Sequence, residues 1–551
     1  MNKKIISLLV LMIFILSSVS ITNAISLKKS KNSSNMTNKL NSEYDMIIIT
    51  NQDFKSITTG YNFHTLKDAH EQKDNFNVLI KTIEEIYNEY EGAKNHIKIR
   101  NFLKDIYVSS IEQYVLIGGD YEIIPAKMST NVDWQYDPVP TDFYYSILDD
   151  EYDQFLNSVY DDWSYWDNDQ HCERFDMTFN KKVYVGRASI SNEEELNNFV
   201  YKTIKYINIK SDKYYLRNIM MAGMKLDNTW GGTLCDDLID ECNKDGYTTQ
   251  GFPSNDYIFD KIYDRDIPVI WSSVQLINKL QSKEHHFLLY NGHSYPALDM
   301  RLLPTQVKHL NNNELFFVFS DGCLAGKFDE DDCMAEYWTV HSKKAAFAGV
   351  WNTGVGWSNV GGQRCMREFF DAIFNEGITK IGKALYDSKY DNIPSLQNEW
   401  DASLQDNMLF QNLFGDPAVS FIEPTSNRPP NKPTIEGQKN GASGEEYIYT
   451  AETSDPDGDN IEYYLFDWGD GNNTGWQSNS SVSHIWTKNG IYEIKVRAKD
   501  EHGAESEWGT LKVAMPKTKS NKNILRFFDN HQLIFSILQN LLKKLSERYF
   551  F

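Results

Sequence analysis

Cysteine is scarce, with six residues in a chain of 551. So few cannot staple a fold of this length, which excludes a disulfide-built scaffold and leaves each thiol needing its own account. No two cysteines form a C-x-x-C pair, and His285, His286, His293 and His309 lack the spacing of zinc ligands, which argues against a zinc centre. Positive charge is also in deficit. Lys and Arg number 55 against 77 Asp and Glu, a net charge of -22; such a surface repels the phosphates of nucleic acid and suits bound cations. Long apolar runs are lacking except at the start, where two lysines precede an apolar run from Ile5 to Leu16 and small residues end at Ala24. That run is short for a bilayer span and a small-residue site follows it. Residues 1–24 are therefore predicted to be a signal peptide, and the mature protein to be secreted or attached to the cell surface. An uncleaved anchor is the alternative.

What is present is 41% hydrophobic residues, enough for several cores, in a length that predicts roughly three to four domains of about 150 residues. Residues 25–43 are a polar, flexible lead-in. From Tyr44 the pattern alternates. YDMIIIT reads as a buried strand, VLIKTIEEIYNEY (Val78 to Tyr90) and IRNFLKDIYV as helices, and YVLIGGD as a second strand. KKVYVGRA continues the series, followed by a helix that SNEEELNNFVYKTIKYI opens with a Ser cap. RNIMMAGM, HHFLLYNGH, ELFFVFSDGC and KAAFAGVW are further strands. This alternation predicts an α/β fold with a parallel sheet, in two subdomains at 44–215 and 216–423. After the Pro-rich linker PTSNRPPNKP, residues 433–515 show short alternating strands separated by clusters such as DPDGDN, the pattern of a small Ig-like β-sandwich. Residues 516–551 are a basic spacer and an amphipathic tail, a membrane-surface segment or a helix docked on the protein.

In an open α/β sheet, reactive groups collect beyond the carboxyl ends of strands. HFLLYNGHS delivers His293 there and LFFVFSDGC delivers Cys323. If the two strands are neighbours, an imidazolium can hold the Cys323 thiolate and then protonate a leaving amine. Gly292 and Gly322 supply uncrowded turns, and the backbone N–H groups of Ser294 and Cys323 are candidates for an oxyanion hole. Cys333 is a rival nucleophile or a disulfide partner for Cys323. It opens CMAEYW, which reads as a helix packed on the sheet. Cys235 and Cys242 are placed seven apart on one helix, too far along its axis to bridge.

Several motifs in order resemble the gingipain family of cysteine peptidases, which have a caspase-like fold. These are YVLIGGDYEIIP, PTDFYYSILDD, VYVGRASISNEEEL, YNGHS, DGCLAGKFDEDDCMAE and LFGDPAVSF. The resemblance implies Cys323 as nucleophile, His293 as its partner and Cys333 as structural. It departs at Ser294, where the family usually has glycine. The segment KLDNTWGGTLCDDLIDE matches the part of the family that forms the substrate pocket, placing Trp230, Gly231 and Asp236 there, with Asp227 and Asp237 nearby; those acids read either as a solvated helix start, the favoured reading, or as a preference for a basic side chain. The family also implies structural calcium; Asp167 and Asp169 in WDNDQHCERFD offer hard oxygen ligands. No organic cofactor is implied. Residues 433–515 resemble a polycystic-kidney-disease-type (PKD) domain through the turn Trp468 to Gly471 and the Tyr492 strand. Such a module acts as a spacer or as a surface binder, for which Trp476 and Trp508 are candidates.

The resulting expectation is a secreted or surface-attached cysteine endopeptidase acting on protein or peptide substrates. A sortase-like transpeptidase with the same dyad and a non-catalytic surface-binding protein keeping the fold are the alternatives.

Overall fold

Short runs of aliphatic and aromatic residues, buried from end to end, form the centre of the molecule, as expected of strands covered by helices on both faces. The computed structural model describes residues 43–515 except 130–137, 150–179, 330, 358–359, 399–401 and 426, together with Ser536 and Asn540. The signal peptide, Asp167, Asp169 and the rest of the tail fall outside the described residues.

In the first half lie β1 (Met46–Thr50), β2 (Val78–Thr82), β3 (Tyr114–Gly118), the hairpin β4 (Lys127–Ser129) and β5 (Val139–Thr141), and β6 (Tyr184–Ala188). The second half supplies β7 (Asn218–Gly223), the hairpin β8 (Glu241–Lys244) and β9 (Tyr247–Gln250), β10 (Ile258–Tyr263), β11 (Phe287–Asn291), β12 (Phe316–Ser320), β13 (Ala346–Asn352) and β14 (Gln411–Phe414). Ten of these make one sheet in the order β10-β7-β11-β12-β13-β14-β6-β3-β1-β2. All neighbours run parallel except β13 and β14.

The two halves thus share a sheet, and the strand between them, β14, meets β6 through the single pair Phe414 and Arg187. Buried polar contacts reinforce that narrow seam. Arg187 binds both carboxylate oxygens of Asp142, at 2.6 and 2.7 Å, and donates to the carbonyls of Gly119 and Ile124. Asp142 N–H donates to Asn412 Oδ1. The Thr-Asp-aromatic and Gly-Arg motifs, 45 residues apart, are one joint.

Side chains alternate across the sheet, so each strand feeds two cores. Phe287 and Leu289 of β11 and Phe317 and Phe319 of β12 enter one; Leu288, Tyr290 and Val318 enter the other. Two expectations need correction. Val78–Thr82 is strand β2, and the helix begins only at Ile83, capped by Thr82, whose hydroxyl takes the Glu85 N–H while Glu85 reaches back. The helix after β6 is capped by Asn192, not by Ser191.

The sandwich comprises β15 (Thr434–Gly437), β16 (Glu446–Glu452) and β18 (Ser481–Ile485) in one sheet and β17 (Ile461–Asp467), β19 (Gly490–Asp500) and β20 (Gly509–Met515) in the other. Tyr449, Phe466, Trp468 and Trp486 fill its core. Trp476 and Trp508 are half-buried, under Lys499 and Arg497 respectively, rather than presented to solvent.

Candidate active site

Strands β11 and β12 are parallel neighbours with Tyr290 opposite Ser320. Three residues further on, His293 and Cys323 leave the sheet at the same edge. Their turns interlock: a Cβ on Gly322 would run into the Ser294 hydroxyl, and one on Gly292 into the Tyr290 hydroxyl. Only glycine allows that approach. The Tyr290 hydroxyl donates to the His293 carbonyl at 2.8 Å, and Asp321 N–H donates to the Tyr290 carbonyl at 3.0 Å. His293 is exposed and Cys323 half-buried. Both line a cavity of about 250 Å³, with Asp227, Asn291, Gly292, Asp321, Val355, Gly356 and Trp357 among its walls.

The Cys323 Sγ lies 3.5 Å from the Gly356 carbonyl, to which the thiol donates. Burial pushes its thiol above the ordinary range, and the nearby Asp321 adds to the rise. A reactive thiolate here therefore needs a cation beside it. The following residue, Leu324, has φ of 59°, a strained conformation for a leucine. The other described thiols differ. All are free; Cys235, Cys333 and Cys365 are fully buried and pushed strongly up by that burial. Cys333 caps the helix Met334–Thr339, its N–H donating to Glu336 Oε2 at 2.6 Å. Cys242 sits on β8, because the helix carrying Cys235 ends at Asp236.

Trp230, Gly231 and Asp236 are not among the residues that line this cavity. Trp230 is exposed beneath Lys225. Gly231 packs against the Asn291 carbonyl with no room for a side chain. Asp236 is taken by Lys261 at 2.7 Å, by Arg265 and by the Tyr263 hydroxyl. The acids lining the cavity are Asp227, from the expected segment, and Asp321, two residues before Cys323, which sequence reasoning did not single out. Asp321 is buried and accepts from the amides of Asn352 (3.2 Å), Gln363 (2.9 Å) and Gln411 (3.4 Å). Burial pushes it up to about 8, with those neutral donors opposing. An acid just past the apolar run Leu315 to Phe319 was the available signal.

A second acidic group lies away from the cavity. Oxygens of Asp120, Asp332 and Glu336 lie within 4.8 Å of one another. The Ser189 hydroxyl lies 3.0 Å from Asp120 Oδ1 and 2.6 Å from Glu336 Oε1, and its one proton serves one of them. Glu336 is pushed well above the carboxylate range, first by burial and then by Asp120. Buried Glu336, crowded by Asp120, and exposed Asp332, which also meets His341 Nε2 at 3.2 Å, form a hard-oxygen set of the kind calcium takes.

A profile of peptidase family C25 matches residues 39–422, and one of the PKD domain matches residues 427–515. No curated protein matches the chain. Among solved structures, the PKD domain of an M14-like peptidase from a Thermoplasmatales archaeon is 47% identical, covering 17% of this chain and 100% of that one, with a TM-score of 0.16. The PKD1 domain of the Vibrio cholerae metalloprotease PrtV is 21% identical, covering 16% and 99%, with a TM-score of 0.14. The family profile spans most of the chain, including both strands that lead to His293 and Cys323: this protein belongs to peptidase family C25, the gingipain family of cysteine peptidases.

Proposed function

We propose that the protein is an exported cysteine endopeptidase in which Cys323 and His293 are the catalytic dyad. The single observation that carries this is the departure of both residues from adjacent parallel strands, in register, into one cavity. The Cys323 thiolate attacks the peptide carbonyl carbon, and the carbonyl electron pair moves onto oxygen near the turns of Ser294 and Cys323. As the oxyanion collapses, the C–N bond breaks and His293 gives its proton to the leaving amine. Water, losing a proton to His293, then attacks the thioester, releasing the carboxylic acid and restoring the thiol.

Asp227 lines the cavity with a carboxylate and Asp321 with a carboxyl that ionises as pH rises through about 8, a pair that suits a lysine or arginine side chain before the scissile bond. Calcium, held by Asp120, Asp332 and Glu336, would neutralise a buried group of acids and stabilise the fold around the nucleophile loop. The sandwich acts as a spacer.

The test is labelling with a thiol-directed peptide probe. Cys323→Ala should abolish both labelling and peptide cleavage, while Cys333→Ala should keep labelling. Labelling that survives Cys323→Ala would overturn the assignment.

A further inference from the structure

Between the two strand ends lies a carboxylate that the chemistry above does not use. Asp299 is completely buried. Its Oδ1 accepts from the Ser294 hydroxyl at 2.7 Å and from the Ser320 hydroxyl at 2.9 Å, and its Oδ2 from the Trp351 indole N–H at 3.0 Å. Each donor has a defined place. Ser294 directly follows His293. Ser320 closes β12, three residues before Cys323. Trp351 is the residue of β13 opposite Ser320. One carboxylate therefore ties the histidine turn to the cysteine strand and to that strand's other neighbour.

We infer that Asp299 is a positioning residue for the dyad: by holding Ser294 and Ser320 on one oxygen, it fixes the His293 turn against the Cys323 turn. The inference rests on the dyad proposed above. It also explains the serine at position 294, since glycine there would leave one of the three bonds unmade.

The backbone around Asp299 supports the assignment. Met300 and Arg301 have φ of 54° and 59°, in the left-handed region. Neither is a glycine, so the turn they form, closed by the Leu302 N–H to Asp299 carbonyl bond at 2.7 Å, is strained. Such a turn persists only where its surroundings over-determine it. Here Arg301 grips both oxygens of Asp264, at 3.0 and 2.7 Å, donates to the Trp271 carbonyl at 2.6 Å and lies 4.2 Å over the Trp271 ring. Asp264 also accepts the Lys225 N–H, two residues before Asp227. The clamp thus connects the loops after β7, β10 and β11 and aims Asp299 at the junction beneath the dyad.

Asp299→Asn preserves shape but leaves one acceptor oxygen where two are used, so the serines or the indole must lose their partner. Expected for the purified full chain is a kcat at least about 30-fold lower with KM within about 2-fold. The pH profile of Cys323 alkylation by iodoacetamide should move from that of wild type toward that of His293→Ala, because a displaced imidazole no longer supports the thiolate. Ser294→Ala and Ser320→Ala should each give part of the effect, and their double variant should reproduce it if Asp299→Asn does not fold. A folded Asp299→Asn or double variant with wild-type kcat and alkylation profile overturns the inference. So does a loss confined to thermal stability. His293→Ala separates the two levels: if its own alkylation profile matches wild type, the dyad reading has failed; if it shifts and Asp299→Asn does not, only the positioning role has failed.

Discussion

At the scale of single residues, Asp321 sets the clearest chemical expectation. Its carboxyl is buried, is met only by amide donors, and sits at about 8. A basic substrate side chain favours the ionised form, so binding is linked to loss of a proton and strengthens as pH rises through about 8. Stability runs with the opposite sign. The unfolded chain has already lost this proton near pH 4, so the folded state forfeits stability as pH rises from there toward 8. The ratio of kcat/KM for an arginine substrate over its citrulline counterpart should therefore climb between pH 6 and 9. In Asp321→Asn the ratio should drop by roughly 10- to 100-fold, as a lost charge-assisted bond of about 1.5–3 kcal/mol implies, and become flat with pH. Using a ratio cancels the titration of the Cys323 thiol, common to both substrates. A ratio that ignores both pH and the substitution would remove Asp321 from the pocket. Asp321 escaped the sequence reading because an acid in a turn reads as solvated, and its burial depends on amides up to 90 residues away.

At the scale of elements, the structure replaces local expectations where two periodicities share the same residues. In VLIKTIEEIYNEY the apolar positions suit a helix throughout, yet Val78–Thr82 pairs with β1 as a strand. The junction was legible: Thr82 and Glu85 form a capping box. Likewise Asp245 and Gly246, both at positive φ, turn the hairpin β8–β9 and end any helix through Cys242. What could not be read locally is which elements are pinned together. His70, on the helix Phe63–Lys73, bonds Asp74 at 2.7 Å and Asp416 of the Gly-Asp-Pro-Ala turn at 2.9 Å, across 346 residues. Although burial opposes it, these carboxylates raise His70 to about 9. A raised histidine contributes stability that is complete below about 6.5 and lost as pH rises through 9. Replacing His70 by Gln leaves Asp416 buried beside a neutral partner, at a cost on the order of 3 kcal/mol. The Tm of His70→Gln should fall well below wild type at pH 6, and the gap should close above pH 9. A gap constant with pH would mean that His70 is neutral and acts only by packing.

At the scale of the whole molecule, the order of the motifs was legible, and so was the change from α/β alternation to sandwich at the Pro-rich linker. That the two halves share one sheet was not, because β14 comes from the far end of the chain and its pairing with β6 is a single residue wide. A seam that narrow needs anchors, and the acid group is placed to be one. Asp120 follows β3 in the first half, whereas Asp332 and Glu336 follow the Cys323 turn in the second. Without a cation, burial and Asp120 favour the protonated form of Glu336. Calcium would displace that proton and draw the halves together, so its affinity should weaken as pH falls. At calcium concentrations of about 100 times Kd, the bound ion adds roughly 2.7 kcal/mol, which for a chain of this size is a rise in Tm of several degrees. Scanning calorimetry of the full chain in calcium and in excess EGTA should show that difference, and Glu336→Gln should abolish it while folding in EGTA as well as wild type does. Because Glu336 also holds the Cys333 N–H, which an amide oxygen can still accept, Glu336→Gln removes a charge without unmaking the cap. If wild type and Glu336→Gln respond to calcium alike, the ion binds elsewhere, and the seam rests on Arg187 and Asp142 without help from a metal.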